Sequence, residues 1–206
     1  MRSKQNGFFA LCLIYVGMML GASGNTLASS VIQVVDNAGQ PVQDAVVYAE
    51  LAGGPASTKS ASAEIQQKDR KFMPFVTAVQ TGTSISFPNN DTVRHHAYSF
   101  SPAKQFELKL YSGKPAAPIV FDKAGTVVVG CNIHDQMVAY IHIVDTPYFA
   151  KTDASGTARL PNIPAGKYVL KTWHPKLAPG ATIQEQSLQI DNGTAPTVVK
   201  LSYKAA

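Results

Sequence analysis

Apolar and polar residues alternate in short runs along most of the chain, with the period of two that is typical of β-strands. The clearest runs cover residues 83–87, 106–111 and 167–173. Clusters of Gly, Pro, Asn and Asp, such as the one over residues 36–41, separate the runs and favour turns. Beyond the N-terminal segment, no stretch keeps a helical period. The pattern therefore predicts an all-β fold of many short strands packed as β-sandwiches.

The N-terminal segment has the pattern of a secretory signal peptide. Arg2 and Lys4 precede an apolar run over residues 8–20, and small residues precede a cut after Ala28. The run is shorter than the roughly 20 residues that a membrane-spanning helix needs. We therefore expect cleavage, export to the periplasm and no stable membrane insertion of the mature chain, with an uncleaved anchor as the alternative.

Composition narrows the classes of partner. The formal net charge of +5 includes the two basic residues of the signal peptide, and the remaining bias is mild and without basic runs. This gives no indication of a nucleic-acid partner. No nucleophile elbow, glycine-rich phosphate loop or paired-carboxylate motif appears, so we expect no enzymatic activity.

Cysteine usage points to a metal site. Cys12 lies in the signal peptide, which leaves Cys131 as the single thiol of an exported chain, unable to form an internal disulfide. An inert buried thiol or an intermolecular bridge is the alternative. Cys131 also opens a C-x-x-H-x-x-M motif with His134 and Met137. Thiolate, imidazole and thioether are three of the four side chains of a blue-copper site, which adds a second histidine.

The second histidine is expected from the pair His95-His96, at the start of a predicted strand. Adjacent residues on a strand point to opposite faces, so only one of the two can bind the same metal without a bulge. The residues alone leave both open. The softness and geometry of the donors favour copper, with zinc as the competing metal. His142, on the strand that follows the motif, is expected to lie at a rim or on the surface.

Three stretches together resemble a known family. They are Gly82-Thr-Ser-Ile-Ser-Phe-Pro-Asn-Asn-Asp91, the region of His95, and Gly125-Thr-Val-Val-Val-Gly-Cys131-Asn-Ile-His134-Asp-Gln-Met137-Val. Over about residues 64–146 the chain resembles cupredoxins of the plastocyanin and amicyanin type, and among them the plastocyanin-like periplasmic proteins labelled methylamine utilization proteins. The resemblance implies a Greek-key β-sandwich.

The resemblance also implies one type 1 copper site, with the ligands His95, Cys131, His134 and Met137. His96 stands where the family usually has an asparagine that braces the ligand loops, so it is either the alternative ligand or a substitute brace. Asn90 and Asn132 are further candidates for hydrogen bonds around the ligands, or are ordinary turn residues.

The two ends of the chain resemble parts of one small sandwich. Residues 34–47 and 152–170 resemble carboxypeptidase regulatory-like domains, which are transthyretin-like β-sandwiches. We therefore expect a cupredoxin inserted into a discontinuous sandwich, because the entropy of loop closure grows slowly with loop length. The alternative is a cupredoxin with two unrelated extensions. The expected order is a signal peptide (1–28), the first regulatory-like strands (29–55), a linker to residue 63, the cupredoxin (64–146) and the remaining regulatory-like strands (147–206).

The resemblance to cupredoxins also implies a function. The chain is expected to carry one electron at a time between redox protein partners, for example an amine dehydrogenase or a cytochrome, with the edge of His134 as the electron port. Two alternatives remain. One is copper delivery or storage without electron transfer, and the other is binding of a glycan or protein by the flanking sandwich.

Overall fold

The computed structural model of the chain describes residues 27–51, 61–115, 117–178, 180–191 and 195–203. Nearly all of the predicted signal peptide and most of the predicted linker lie outside these ranges. Every regular element in the described ranges is a strand, which confirms the prediction of an all-β fold. Within the same ranges we find no helix that could cross a membrane.

The strands, in chain order, are β1 Leu27–Val35, β2 Val46–Leu51, β3 Ser62–Glu64, β4 Gln66–Lys68, β5 Lys71–Met73, β6 Val76–Gln80, β7 Thr83–Ser86, β8 His95–Ser101, β9 Lys104–Tyr111, β10 Ile119–Phe121, β11 Gly125–Gly130, β12 Val138–Val144, β13 Phe149–Lys151, β14 Thr157–Pro164, β15 Gly166–Trp173, β16 Gln184–Ile190 and β17 Thr197–Lys200.

Strands from the two ends of the chain pair with one another. One sheet has the order β14-β1-β17 and the other the order β13-β2-β15-β16. Between them lies a core of buried apolar side chains that includes Ile32, Val34, Val47, Leu160, Leu170 and Ile190. We call this unit (β1, β2 and β13–β17) the terminal sandwich. The domain bounds given above and the membership in a regulatory-like family stay predictions.

Strands β3–β12 form sheets of their own, which we call the central sandwich. A five-stranded sheet, β6-β12-β11-β8-β9, faces a three-stranded sheet, β10-β7-β3, and β4 pairs with β5 in a separate hairpin. Their shared core contains Phe87, Phe121 and Ile141 together with Cys131 and Met137. The candidate chemistry is therefore part of the apolar core.

Alternation along β11 explains why the cysteine points inward. Val127 and Val129 are fully buried, whereas Val128 between them is 41% exposed. Since side chains on a strand alternate between faces, the next inward position after Val129 is Cys131. Cys131 is accordingly only 4% exposed.

The two sandwiches meet along an apolar seam, which contains Val46, Tyr48, Val76, Val144 and Trp173. His142 lies in this seam, 3% exposed, with its ring stacked on Trp173 at 4.6 Å between centroids and 9° between planes. The expectation of a rim or surface position for His142 is therefore wrong, because the terminal sandwich covers that face of β12. Thr126 Oγ1 lies 3.0 Å from His142 Nδ1, and burial lowers the pKa of His142 to about 4.

The seam should make folding stability depend on pH. The pKa of His142 is about 4 in the folded chain against 6.5 for a free histidine, so the unfolded chain binds the proton first as the pH falls. The folding free energy contributed by neutral His142 is fully present above pH 6.5. It decreases as the pH falls toward 4, by up to about 3 kcal/mol.

To isolate this effect, wild type and a His142→Phe variant, which keeps an aromatic ring in the stack, are unfolded with urea at neutral pH and at about pH 4. The difference in unfolding free energy between the two proteins should shift by about 3 kcal/mol in favour of the variant at the lower pH. If the difference in unfolding free energy between the two proteins does not change with pH, His142 does not have a lowered pKa in the folded chain.

Two glycines allow a matched test of how closely the chain ends pack. Gly156 has φ +74°, and an added Cβ would lie 2.5 Å from the carbonyl oxygen of Val34 on β1. Gly39 has a similar φ of +79° but nothing within 4 Å of its Cβ position. Gly39→Ala should cost about 1 kcal/mol from backbone strain alone, and Gly156→Ala about 2–3 kcal/mol because the strands must also move apart. Equal losses in urea unfolding would argue against close packing of β1 on the turn before β14.

Candidate metal centre

Three side chains from two parts of the central sandwich converge on one point. His95, Cys131 and His134 each offer one ligand atom, and these atoms lie within 4.8 Å of one another. Cys131 Sγ is 4.0 Å from Nδ1 of His95 and 4.0 Å from Nδ1 of His134. In the part of the chain that the structure describes, no second group of this kind occurs.

Strand ends and one tight loop place these residues. His95 opens β8, and the pairing of β8 with β9 shifts its register between His95 and Ala97. Gly130, the last residue of β11, pairs with Val138, the first of β12, so Cys131, His134 and Met137 all lie on the connecting loop. The Met137 N–H donates to the His134 carbonyl at 2.9 Å and closes the loop.

The spacing suits a metal ion. With a metal–sulfur bond of about 2.3 Å and metal–nitrogen bonds of about 2.05 Å, ligands about 120° apart are separated by about 3.8 Å. The observed sulfur–nitrogen distances of 4.0 Å are close to that value. A thiolate with two imidazoles is a donor set for copper or zinc, and softness favours copper.

Met137 lies in the same buried core as Cys131 and is 1% exposed. A thioether in this place suits the weak axial ligand of a blue-copper site. The assignment of Met137 as a ligand stays a prediction.

The structure separates the two adjacent histidines. His95 is fully buried and its ring lies 5.0 Å from that of His134, whereas His96 points to the opposite face of β8. There His96 Nε2 lies 3.0 Å from Glu107 Oε1. The cluster thus contains His95 and leaves His96 outside.

The two predicted asparagines lie at the surface. Asn90 is exposed, and its side-chain amide donates to Gln66 Oε1 at 3.0 Å. Asn132 is also exposed and lines a shallow cavity with His96 and Glu107. Neither asparagine has a side-chain hydrogen bond to a cluster residue among those described.

Two neighbours of Asn90, absent from the predicted set, brace the centre instead. Asn89 is 3% exposed, and its amide donates to the carbonyls of Val93 at 2.9 Å and Tyr111 at 2.7 Å. Asp91 Oδ2 lies 2.9 Å from His95 Nε2. Asn and Asp side chains commonly form hydrogen bonds with nearby backbone groups in turns. The run Asn89-Asn90-Asp91 therefore indicated such bonds, but the sequence did not indicate which of the three side chains would point inward.

Hydrogen bonds and burial shift two pKa values near the centre. The hydrogen bond with His95, followed by that from the Arg70 N–H, lowers the pKa of Asp91 to about 2. Burial raises the pKa of Tyr111 to about 12, and its hydroxyl donates to the Phe87 carbonyl at 2.6 Å. Near neutral pH Asp91 is therefore a carboxylate and Tyr111 a neutral donor.

The solved structures to which the chain is similar include cupredoxins and a copper-containing nitrite reductase. A purple cupredoxin from Nitrosopumilus maritimus is 19% identical, with 40% of this chain and 99% of that chain covered and a TM-score of 0.36. A reduced amicyanin variant is 18% identical, with coverage of 46% and 87% and a TM-score of 0.35. A Cu-containing nitrite reductase from Thermus scotoductus is 23% identical, with coverage of 53% and 27% and a TM-score of 0.36.

No family model and no curated relative matches the chain. The all-β sandwich architecture predicted from the sequence is shown by the strand pairing of the described residues. At these identities and TM-scores the likeness carries no argument about function, which must come from the geometry of the centre.

The adjacent histidines provide a matched pair of variants. His95→Ala should weaken copper binding by at least about 100-fold. It removes one of the three donor side chains of the cluster, and removal even of an outer hydrogen-bond partner commonly weakens metal binding 10–100-fold. His96→Ala should stay within about threefold of wild type, since it removes contacts with Glu107 and with the Tyr98 ring, neither of which belongs to the cluster. Competition with a copper chelator of known affinity measures both. A loss of copper affinity that is larger in His96→Ala than in His95→Ala would exclude the cluster as the binding site.

Proposed function

We propose that the chain is an exported copper-binding protein that carries one electron at a time between redox partners in the periplasm. The observation that carries this proposal is the convergence of one thiol and two imidazoles inside the core of a β-sandwich. Such a donor set, with a thioether nearby, is the set used by blue-copper sites.

The residues of the centre would bind and confine the ion. His95 and Cys131 are at most 4% exposed and are fixed at strand ends, so they exclude water and can move little. A copper ion bound there would supply a one-electron couple between Cu+ and Cu2+. Ligands that stay in place through such a change keep its reorganisation small, which suits an electron carrier.

The half-buried side chain of His134 supports the expected position of the electron port. Exposed apolar residues lie on the loops that carry the ligands: Val93 is 39% exposed and Ile133 is 50% exposed. Leu110, which is 51% exposed, lines a shallow cavity together with Ile133. This surface suits brief docking of a redox protein, for which a dehydrogenase or a cytochrome is the proposed partner.

Export is the part of the proposal that rests on the sequence. The signal-peptide pattern and the single remaining thiol both suit a protein made for an oxidising compartment. In such a compartment a cysteine at most 4% exposed and flanked by two histidines is protected as a ligand rather than left free.

The mature chain, from residue 29 onward, is loaded with Cu2+ and its visible spectrum recorded beside that of a Cys131→Ser variant. We expect an intense thiolate-to-copper band in the wild type and its loss in the variant, which changes only sulfur to oxygen. A colourless copper-loaded wild type would overturn the blue-copper assignment. Reversible cycling with a small redox mediator supports electron transfer, whereas rapid loss of copper on reduction would favour copper delivery instead.

A further inference from the structure

The Asp91 carboxylate holds the side of His95 that faces away from the cluster. His95 is fully buried, with Nδ1 toward Cys131 Sγ at 4.0 Å and Nε2 toward Asp91 Oδ2 at 2.9 Å. Since an ionised carboxylate only accepts hydrogen bonds, Nε2 carries the proton and donates it. The lone pair of Nδ1 is then free to face the cluster.

Asp91 is itself held in place by backbone donors. Oδ2 also accepts from the Arg70 N–H at 2.8 Å, and Oδ1 accepts from the Thr92 N–H at 3.0 Å. The Asp91 N–H donates to Asn89 Oδ1 at 3.0 Å. The carboxylate has little freedom to leave the ring of His95.

The donor Arg70 belongs to the turn of the β4–β5 hairpin, where Asp69 and Arg70 both have positive φ. The backbone of the hairpin also forms hydrogen bonds with the loop that precedes His95. The Gln67 N–H donates to the Pro88 carbonyl at 2.8 Å, and the Asn90 N–H donates to the Gln67 carbonyl at 2.8 Å. The hairpin therefore fixes both the loop before His95 and the carboxylate that orients its ring.

We propose that Asp91 is a positioning residue that fixes the tautomer of His95 and lowers the reduction potential of copper at this centre. The proposal rests on copper binding as proposed above. A carboxylate bonded to a ligating imidazole orients the ring and makes it a stronger donor. The nearby negative charge also stabilises Cu2+ more than Cu+, because the Coulomb energy grows with the charge of the ion.

The first test compares reduction potentials of the copper-loaded chain. Asp91→Asn keeps the shape and a carbonyl acceptor but removes the charge. Asp122→Asn is the control, since that carboxylate pairs with Lys104 at the surface and not with a cluster residue. We expect Asp91→Asn to lose about tenfold in affinity for Cu2+ relative to Cu+, a rise of about 59 mV for one electron. In Asp122→Asn the affinity for Cu2+ relative to Cu+ should change by less than about twofold.

The second test does not involve copper. Nitrogen-15 NMR of the metal-free chain at mildly alkaline pH reports which ring nitrogen of His95 carries the proton. We expect the Nε2–H form in the wild type and a mixture of both forms in Asp91→Ala, with circular dichroism confirming that the variant is folded.

The outcomes separate the two proposals. An unchanged potential in Asp91→Asn, or an unchanged tautomer in folded Asp91→Ala, would overturn the role of Asp91. Failure of the wild type to bind copper would overturn the proposed function and with it the effect on potential, while the tautomer of metal-free His95 would still decide whether Asp91 positions the ring.

Discussion

The antiparallel pairing of β11 with β12 is the constraint on which the candidate metal centre depends. Because Gly130 pairs with Val138, the intervening loop has little freedom, and its cysteine, histidine and methionine must lie close together. The inward direction of Cys131 follows from the alternation along β11. Sheet pairing and a short loop thus bring three candidate ligands together before any metal contributes binding energy.

The fourth candidate comes from a separate strand and needs long-range support. His95 reaches the cluster because β8 pairs with both β9 and β11, and because the preceding loop is held by Asn89 and by the β4–β5 hairpin. Such contacts restrict the ring of His95 from several sides. A ligand held in this way suits a site in which the protein, rather than the ion, sets the geometry.

Local patterns in the sequence predicted the strands and the ligand loop, because alternation and turn chemistry act over a few residues. These local patterns could not decide between His95 and His96, because that choice depends on which face of β8 meets the core. The bracing roles of Asn89 and Asp91, in place of Asn90, depend on how the loop packs against a hairpin. The burial of His142 required knowing that a second sandwich covers β12.

Assembly of the terminal sandwich has an order built into the chain. Its strands β1 and β2 are made first, yet their partners β13–β17 follow only after the whole central sandwich has been made. The central sandwich is contiguous in sequence and can fold from nearer contacts. For a chain that emerges from its N-terminus, closure of the terminal sandwich therefore comes last and seals the seam around Trp173 and His142. Until β13–β17 have been made, β1 and β2 have none of these partners, and unpaired strand edges of that kind are open to wrong pairing and to proteases.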